Sequence, residues 1–418
     1  MSNLALSYFD IFMYDKDYIS SILYLHSSHW EDIKPILLDV RSSDWSSIRI
    51  AATKVIDMAL RGAMPSQTPL TKIPTTVQKL WLSFIRDGFT TFVSDSHTSV
   101  RLTMCNCFSR VSPEVFNLLE YKEKIAAVAM MLGLSSTDEV ASVRAAACRT
   151  LGIYVLFPCL REDPMFVADS ALNLVQATRD NSLTVRIRAA WSLGNLCDAL
   201  ILVRESDSSK DIPEDILLNI VQCALAASKD DDKVRANALR ALGNFTRFAS
   251  SEMLLKNEAL LGSTVDTLIS NLSSFPNTRS RSAKVQWNAA YAIGNIFRNT
   301  TLELHHFEWT TRGIAALLET LKTNTNFKVR INAASALGVL SNREDYRDLY
   351  YPLLLDLMEI LENEQLCAGS EWVEEDVEEK NDEEEVSEKY TETLQKQLIQ
   401  TLSHLLSFLS PKDDPHIL

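Results

Sequence analysis

VRAAACRTLG (143–152), VRIRAAWSLG (185–194) and VRANALRALG (234–243) share one ten-residue pattern, V-R-x-x-A-x-x-x-L-G, in the same register. At about 100° per residue, offsets 0, 4 and 8 fall in one narrow stripe, so Val143, Ala147 and Leu151 share a helix face that must be buried. The pattern continues in both directions as IRIAATKVID (48–57), VRLTMCNCFS (100–109), VQWNAAYAIG (285–294) and VRINAASALG (329–338). Alanine holds offset 4 in Ala52, Ala147, Ala189, Ala238, Ala289 and Ala333, small enough for a neighbouring helix to come close. Glycine inside a helix costs about 1 kcal/mol relative to alanine. Its recurrence at offset 9, in Gly152, Gly194, Gly243, Gly294 and Gly338, therefore predicts close helix crossings.

An apolar segment precedes each motif and predicts an outer helix: Val77–Phe92, Lys122–Leu134, Pro164–Thr178, Pro213–Ser228, Leu254–Leu272 and Trp309–Thr323. Motif starts lie 42 to 52 residues apart. That period resembles the HEAT and armadillo classes, in which each unit buries its apolar face only against its neighbours. The expected fold is all-α, a right-handed α-solenoid of HEAT/ARM-like antiparallel helix pairs. Its expected parts are an N-terminal helical repeat (1–61), a Pro-containing loop (62–76), the repeat array (77–346), the outer helix of the last unit (347–370), an acidic disordered insert (371–389), and a capping helix and tail (390–418).

The formal net charge is −14, and residues 371–389 account for −9 of it. The mildly acidic remainder offers no broad basic field for a polyphosphate backbone, which argues against nucleic acid as the main partner. The seven cysteines are odd in number and irregularly spaced, as in a reduced intracellular protein. No run of about 18 apolar residues occurs and no basic segment leads the N-terminus, so a cytoplasmic or nuclear location without a membrane span is expected.

Arginine at offset 1 forms a row, Arg49, Arg101, Arg144, Arg186, Arg235 and Arg330, interrupted by Gln286. It reads either as a comb for phosphates or carboxylates or as a set of structural ion pairs, and the structural reading is favoured. Asp44, Asp95, Asp138, Asp180 and Asp230 stand four or five residues before the repeat apolar position, where carboxylates favour the positive end of a helix.

VQWNAAYAIGNIFRN (285–299), the stretch 308–346, VRIRAAWSLGNLCDAL and VRANALRALGNFTRF closely resemble the HEAT repeat-containing protein 6 family over about two thirds of the chain. Such Arg residues in HEAT-type repeats commonly pair with an Asp of the adjacent unit. The resemblance implies a scaffold without assigned enzymatic activity, from larger proteins of which this chain would be the C-terminal portion. It supplies no site residues, and the sequence departs from it at the acidic insert.

Offsets 3, 6 and 10 lie opposite the apolar stripe, on the face a solenoid turns inward. They carry Arg188, Trp191 and Asn195; Asn237, Arg240 and Asn244; Asn288, Tyr291 and Asn295; then Asn332 and Ser335, with Val339 ending the series. Evenly spaced amides between aromatic and guanidinium planes suit an extended peptide, since Asn can satisfy both N–H and C=O of a backbone. Alternatively, these amides hold neighbouring helices together. Trp191 with Asn195 also resembles the peptide-gripping pattern of armadillo-type import adaptors, which Arg240 breaks.

The chain contains no P-loop, G-x-S-x-G or H-E-x-x-H, so no enzyme, no cofactor and no catalytic residue is expected. His26 with His29, and Cys105 with Cys107, lack a second half for zinc, and no metal is expected. The leading expectation is a scaffold that engages a protein or peptide along its concave surface. The alternative is a structural subunit docking through solenoid ends or outer helices, with an importin-like adaptor and an unrecognised enzyme further behind. Neither partner identity nor oligomeric state is written in any pattern found. NTRSRSAK (277–284) reads as a basic, serine-containing loop open to phosphorylation, and 391–409 as a final amphipathic helix.

Overall fold

The repeat motif and the segment before it each form a helix, and a short polar turn, as at 138–140 and 228–231, turns the chain back so that the two lie antiparallel. A computed structural model describes residues 28–62, 75–205, 212–272, 282–369, 382–410 and 413. Among these the principal helices are α1 (Ser28–Asp39), α2 (Ser46–Gly62), α3 (Thr75–Arg86), α4 (Thr98–Phe108), α5 (Tyr121–Thr137), α6 (Ala141–Tyr154), α7 (Pro164–Ala177) and α8 (Leu183–Glu205). They continue as α9 (Glu214–Ala227), α10 (Asp232–Phe248), α11 (Glu258–Leu272), α12 (Ala283–Phe297), α13 (Glu308–Thr323), α14 (Phe327–Leu337), α15 (Tyr350–Gly369) and α16 (Asp382–Leu406). No strand occurs among the described residues. His26, residues 63–74 of the Pro-containing loop, 277–281 of the basic loop and 371–381 of the acidic run lie outside them. Residues 382–389 open α16.

Helix starts are set by local chemistry. Asp163 accepts from the backbone N–H groups of Met165 and Phe166, with Pro164 in the first turn of α7. Asp231 and Asn326 cap α10 and α14 in the same way, and Glu120 and Glu123 form a reciprocal capping box on α5.

The chain divides into two compact units, one of Met1–Leu196 with Lys210–Pro213, the other of Cys197–Ser209 with Glu214–Leu418. In the first, the offset 0, 4 and 8 residues Val143, Ala147 and Leu151 have no exposed surface. A Cβ added to Gly152 would lie 2.2 Å from Ser192 Oγ and 2.8 Å from Ser192 Cα, so the inner helices α6 and α8 cross where neither can carry more bulk. Hydroxyls follow the same register. Thr150, at offset 7, donates to the Cys105 carbonyl (3.1 Å), and Ser192, at offset 7 of the next unit, donates to that of Cys148 (2.8 Å).

The second unit repeats the scheme. A Cβ on Gly243 would lie 2.3 Å from Ala292 Cα, and one on Gly294 3.2 Å from Ala336 Cα. The last inner place is filled by α16. Thr401 donates to the Ala334 carbonyl (2.9 Å), as the offset 7 hydroxyls do earlier, and Gly338 faces Thr401. Leu394, Leu398 and Leu402 take the places of Val, Ala and Leu. Residues 394–403 thus form an eighth inner-helix segment in a sequence without the Val-Arg, Ala or Gly of the motif.

Candidate functional site

Two sets of polar residues lie on the inner helices, one at the turns before them and one along their faces. At the turns of the first unit, Arg49 grips Asp95 with two nitrogens (2.6 and 3.1 Å), Arg101 grips Asp138 (2.7 and 3.0 Å) and Arg144 grips Asp180 (2.8 and 3.0 Å). Each Asp also accepts the backbone N–H two residues on, from His97, Val140 and Ser182. The remaining nitrogen of each guanidinium reaches carbonyls of its own turn: Arg101 to Asp95 and Ser96, Arg144 to Asp138 and Glu139. Burial works against ionisation of Asp95 and Asp138, but Arg49 and Arg101 with the turn N–H groups outweigh it. The hydrogen bond from Arg144 leads at Asp180, and all three carboxyls sit below their ordinary range. Arg186 reaches the carbonyls of Asp180 and Asn181.

The second unit departs from this rule. Arg235 binds Asp232 and the Ser228 and Asp230 carbonyls of its own turn. Gln286 donates to the Leu272 carbonyl and accepts from Asn324 (3.1 Å), an uncharged substitute for the missing arginine. Arg330 pairs with Glu364 of α15 (2.7 Å).

Along the faces, the residues expected to share one surface separate by offset. Those at offset 10 are buried and turned toward the preceding inner helix: Asn195 donates to the Gly152 carbonyl (2.8 Å), Asn244 to Asp198, and Asn295 to the side-chain oxygen of Asn244 (2.8 Å). His404 of α16 repeats the position against the Leu340 carbonyl (2.8 Å). At offset 3, Asn237, Asn288 and Asn332 each donate to the carbonyl one turn back, at Lys233, Lys284 and Lys328. Asn237 and Asn288 are buried, whereas Asn332 is half-buried and Arg188 exposed. Offset 6 is open, holding Arg149, Trp191, Arg240, Tyr291 and Ser335, all half-buried. Inner helices pack against one another on both flanks, which takes offset 10 out of solvent and leaves a narrower stripe than amphipathicity alone implies.

That stripe continues one turn further than the ten-residue motif, to offset 13, with Arg247 on α10 and Arg298 at the C-cap of α12. Together with Tyr291, Gly294, Asn295, Asn332, Ser335 and Ala336 they line a cleft of about 250 Å³ in the second unit. Arg247 pairs with Glu205 (2.6 Å) and Arg240 with Asp198, whose carboxyl burial pushes up despite that partner. Arg298 has no carboxylate partner among the described residues and lies over Gly294. Burial first, then the like charge of Arg247, push its guanidinium below the ordinary arginine value. Asn295 Oδ1 is buried and accepts no hydrogen bond among the described residues. In the first unit Arg149 bonds only Ser109 Oγ (2.8 Å) among the described residues. It too is pushed down, by burial and then by Arg188 and Arg110.

Elsewhere, Cys105 and Cys107 are buried thiols, and burial pushes Cys105 up to about 12. Glu303, His305 and His306 bring ligand atoms within 4.8 Å of one another, although His305 faces Asp345 (3.4 Å) and His306 faces Glu303 (3.1 Å). Among the described residues no helix is long and apolar enough to cross a membrane.

Comparison with known proteins agrees with this architecture. The HEAT-like repeat family model matches residues 141–196. An uncharacterised protein of Dictyostelium discoideum is 27% identical over 419 residues, covering 75% of this chain and 26% of that protein, so the chain spans about a quarter of that relative. Among solved structures, Kap121p aligns at a TM-score of 0.55 and 15% identity over 94% of this chain and 36% of its own. Importin beta aligns at 0.52 and 13% identity over 93% and 55%. An engineered protein aligns at 0.50 and 15% identity over 94% of each chain. At such identities the likeness is one of fold, an all-α solenoid of HEAT/armadillo type.

Proposed function

We propose that this chain is a protein-binding scaffold that takes an extended partner segment along the open stripe of its inner helices. We read its repeats as of the HEAT repeat-containing protein 6 type, a reading supported by the HEAT-like match at 141–196. The observation that carries the proposal is the contrast along each inner helix. At Asn195, Asn244 and Asn295 offset 10 is fixed in a buried hydrogen-bonded layer, while within the first unit offset 6 presents Arg149 and Trp191, and within the second offsets 6 and 13 present Arg240, Tyr291, Arg247 and Arg298. Aromatic and guanidinium side chains on a rigid base are the composition of binding hot spots. Among the described residues no comparable gathering of acid, base and nucleophile supports a catalytic reading.

The test is cross-linking and affinity capture from cell extract with the wild type and a Trp191→Ala/Tyr291→Ala variant of equal helicity. Partners whose cross-links map to the inner helices and vanish with the variant support the proposal. A partner set unchanged in identity and amount refutes it.

A second reading, docking through outer helices into a larger assembly, is favoured by apolar residues left in solvent on that side. These include Met165 of α7 at 77% exposure and Leu355 and Met358 of α15 at 55% and 43%. Cross-links concentrated on α7 and α15 would support it instead.

A further inference from the structure

Three features meet in the cleft lined by Arg247, Tyr291, Asn295, Arg298 and Asn332. The first is an unmatched cation: Arg298 is half-buried with no carboxylate partner among the described residues, although the chain as a whole carries a net charge of −14. Retaining a partly desolvated guanidinium beside a like charge is costly unless an anion arrives to meet it. The second is a polarised chain of hydrogen bonds. Asp198 accepts from Asn244, Asn244 accepts from Asn295, and Asn295 Oδ1 ends the series as a buried acceptor with no donor among the described residues. A peptide N–H is a group that could fill that place. The third is recurrence: on the first unit, Arg149 with Arg188 beside it again lacks a carboxylate partner among the described residues.

We propose that the cleft between α10, α12 and α14 is a carboxylate-reading subsite for an acidic segment of a partner protein. A glutamate or aspartate side chain of that segment lies between Arg298 and Arg247, its backbone runs past Asn295, and its flanking side chain packs on Tyr291. Within the first unit, the Arg149 and Arg188 pair forms a separate subsite of the same character. This assignment rests on the inner-surface reading above and deepens it by fixing the sign of the partner's charge.

The probes are three short fluorescein-labelled peptides of equal length, alternating serine with glutamate, glutamine or lysine. Fluorescence anisotropy would be measured on the full chain at low and physiological salt. The expected result is binding of the glutamate peptide, weakened by salt and weakened about tenfold by Arg298→Gln. An Arg312→Gln control, which removes an exposed outer-helix arginine paired with Asp266, would leave it unchanged. Equal binding of the glutamine peptide, or preference for the lysine peptide, would overturn the charge assignment and leave inner-surface binding in place. Binding of no peptide would overturn the subsite, while the cross-linking experiment with Trp191→Ala/Tyr291→Ala decides the broader reading separately. An Arg298→Gln protein with unchanged glutamate affinity and unchanged melting would also overturn it.

Discussion

Replacing Gly243 by alanine sets two known energies against each other at one atom. Inside a helix alanine is favoured over glycine by about 1 kcal/mol. The new Cβ would stand 2.3 Å from Ala292 Cα and 2.5 Å from Ala292 Cβ, both on the neighbouring inner helix. Ordinary carbon contacts lie near about 3.5–4.0 Å, so α10 and α12 must separate by more than about 1 Å. Since the obstacle is backbone, no side-chain rotation relieves it. Overpacking of this kind costs about 1–3 kcal/mol and occasionally more, and parting the helices also strains the Asn244 to Asn295 hydrogen bond between them. The expected outcome is a net loss of about 2 kcal/mol. Gly133→Ala and Gly262→Ala are the matched controls, because a Cβ at either position meets nothing within 4 Å. Each should gain about 0.5–1 kcal/mol. Urea unfolding followed by circular dichroism, with the slope checked for constancy, gives all three. A Gly243→Ala protein as stable as Gly133→Ala would refute the argument that glycine at offset 9 exists to admit a neighbouring helix.

Removing Arg144 strips a bidentate partner from Asp180, a carboxylate only 15% exposed, and should destabilise by about 2–3 kcal/mol. A double-mutant cycle with Asp180→Asn should return a coupling energy well above that of a surface pair, and a value near zero would sink the idea. Because the folded-state carboxyls of Asp95, Asp138 and Asp180 lie below the ordinary value of 3.8, their stabilisation is present above that pH and lost as pH falls through the lowered values. Acid titration of the melting temperature should therefore fall below about pH 4, and less steeply in Arg49→Met/Arg101→Met/Arg144→Met. Asn299 donates to the carbonyls of Thr246 and Ala249 at 2.7 and 2.9 Å, closing the end of α10. Asn299→Ala should cost about 2 kcal/mol and raise amide exchange there before elsewhere.

Much of the fold was legible because its determinants are local. Period, offset 4 alanine and offset 9 glycine each follow from one helix meeting one neighbour. Two things were hidden for physical reasons. The eighth inner-helix segment, within α16, keeps only the spacing of Leu394, Leu398 and Leu402, and the acidic run displaces it from the regular period. Amphipathicity presents the inner helices with one polar stripe and does not reveal which flank a sister helix covers. It therefore grouped the buried Asn195, Asn244 and Asn295 with the open Trp191 and Tyr291. Arg247 and Arg298 lay one turn beyond the ten-residue motif, and carrying the same periodicity to offset 13 would have found them.

In the first unit, the rungs from Arg49 to Asp95, Arg101 to Asp138 and Arg144 to Asp180 all lie at the turns between helices. That edge is stitched by bidentate charged fasteners, whereas behind it the helices meet through apolar surface and single hydrogen bonds such as those from Thr150 to Cys105 and from Ser192 to Cys148. Bending should therefore pivot about the stitched edge as pages turn about a spine. Pulling on the unit should leave the stitches intact until a whole repeat is shed, so that extension proceeds in steps of one repeat.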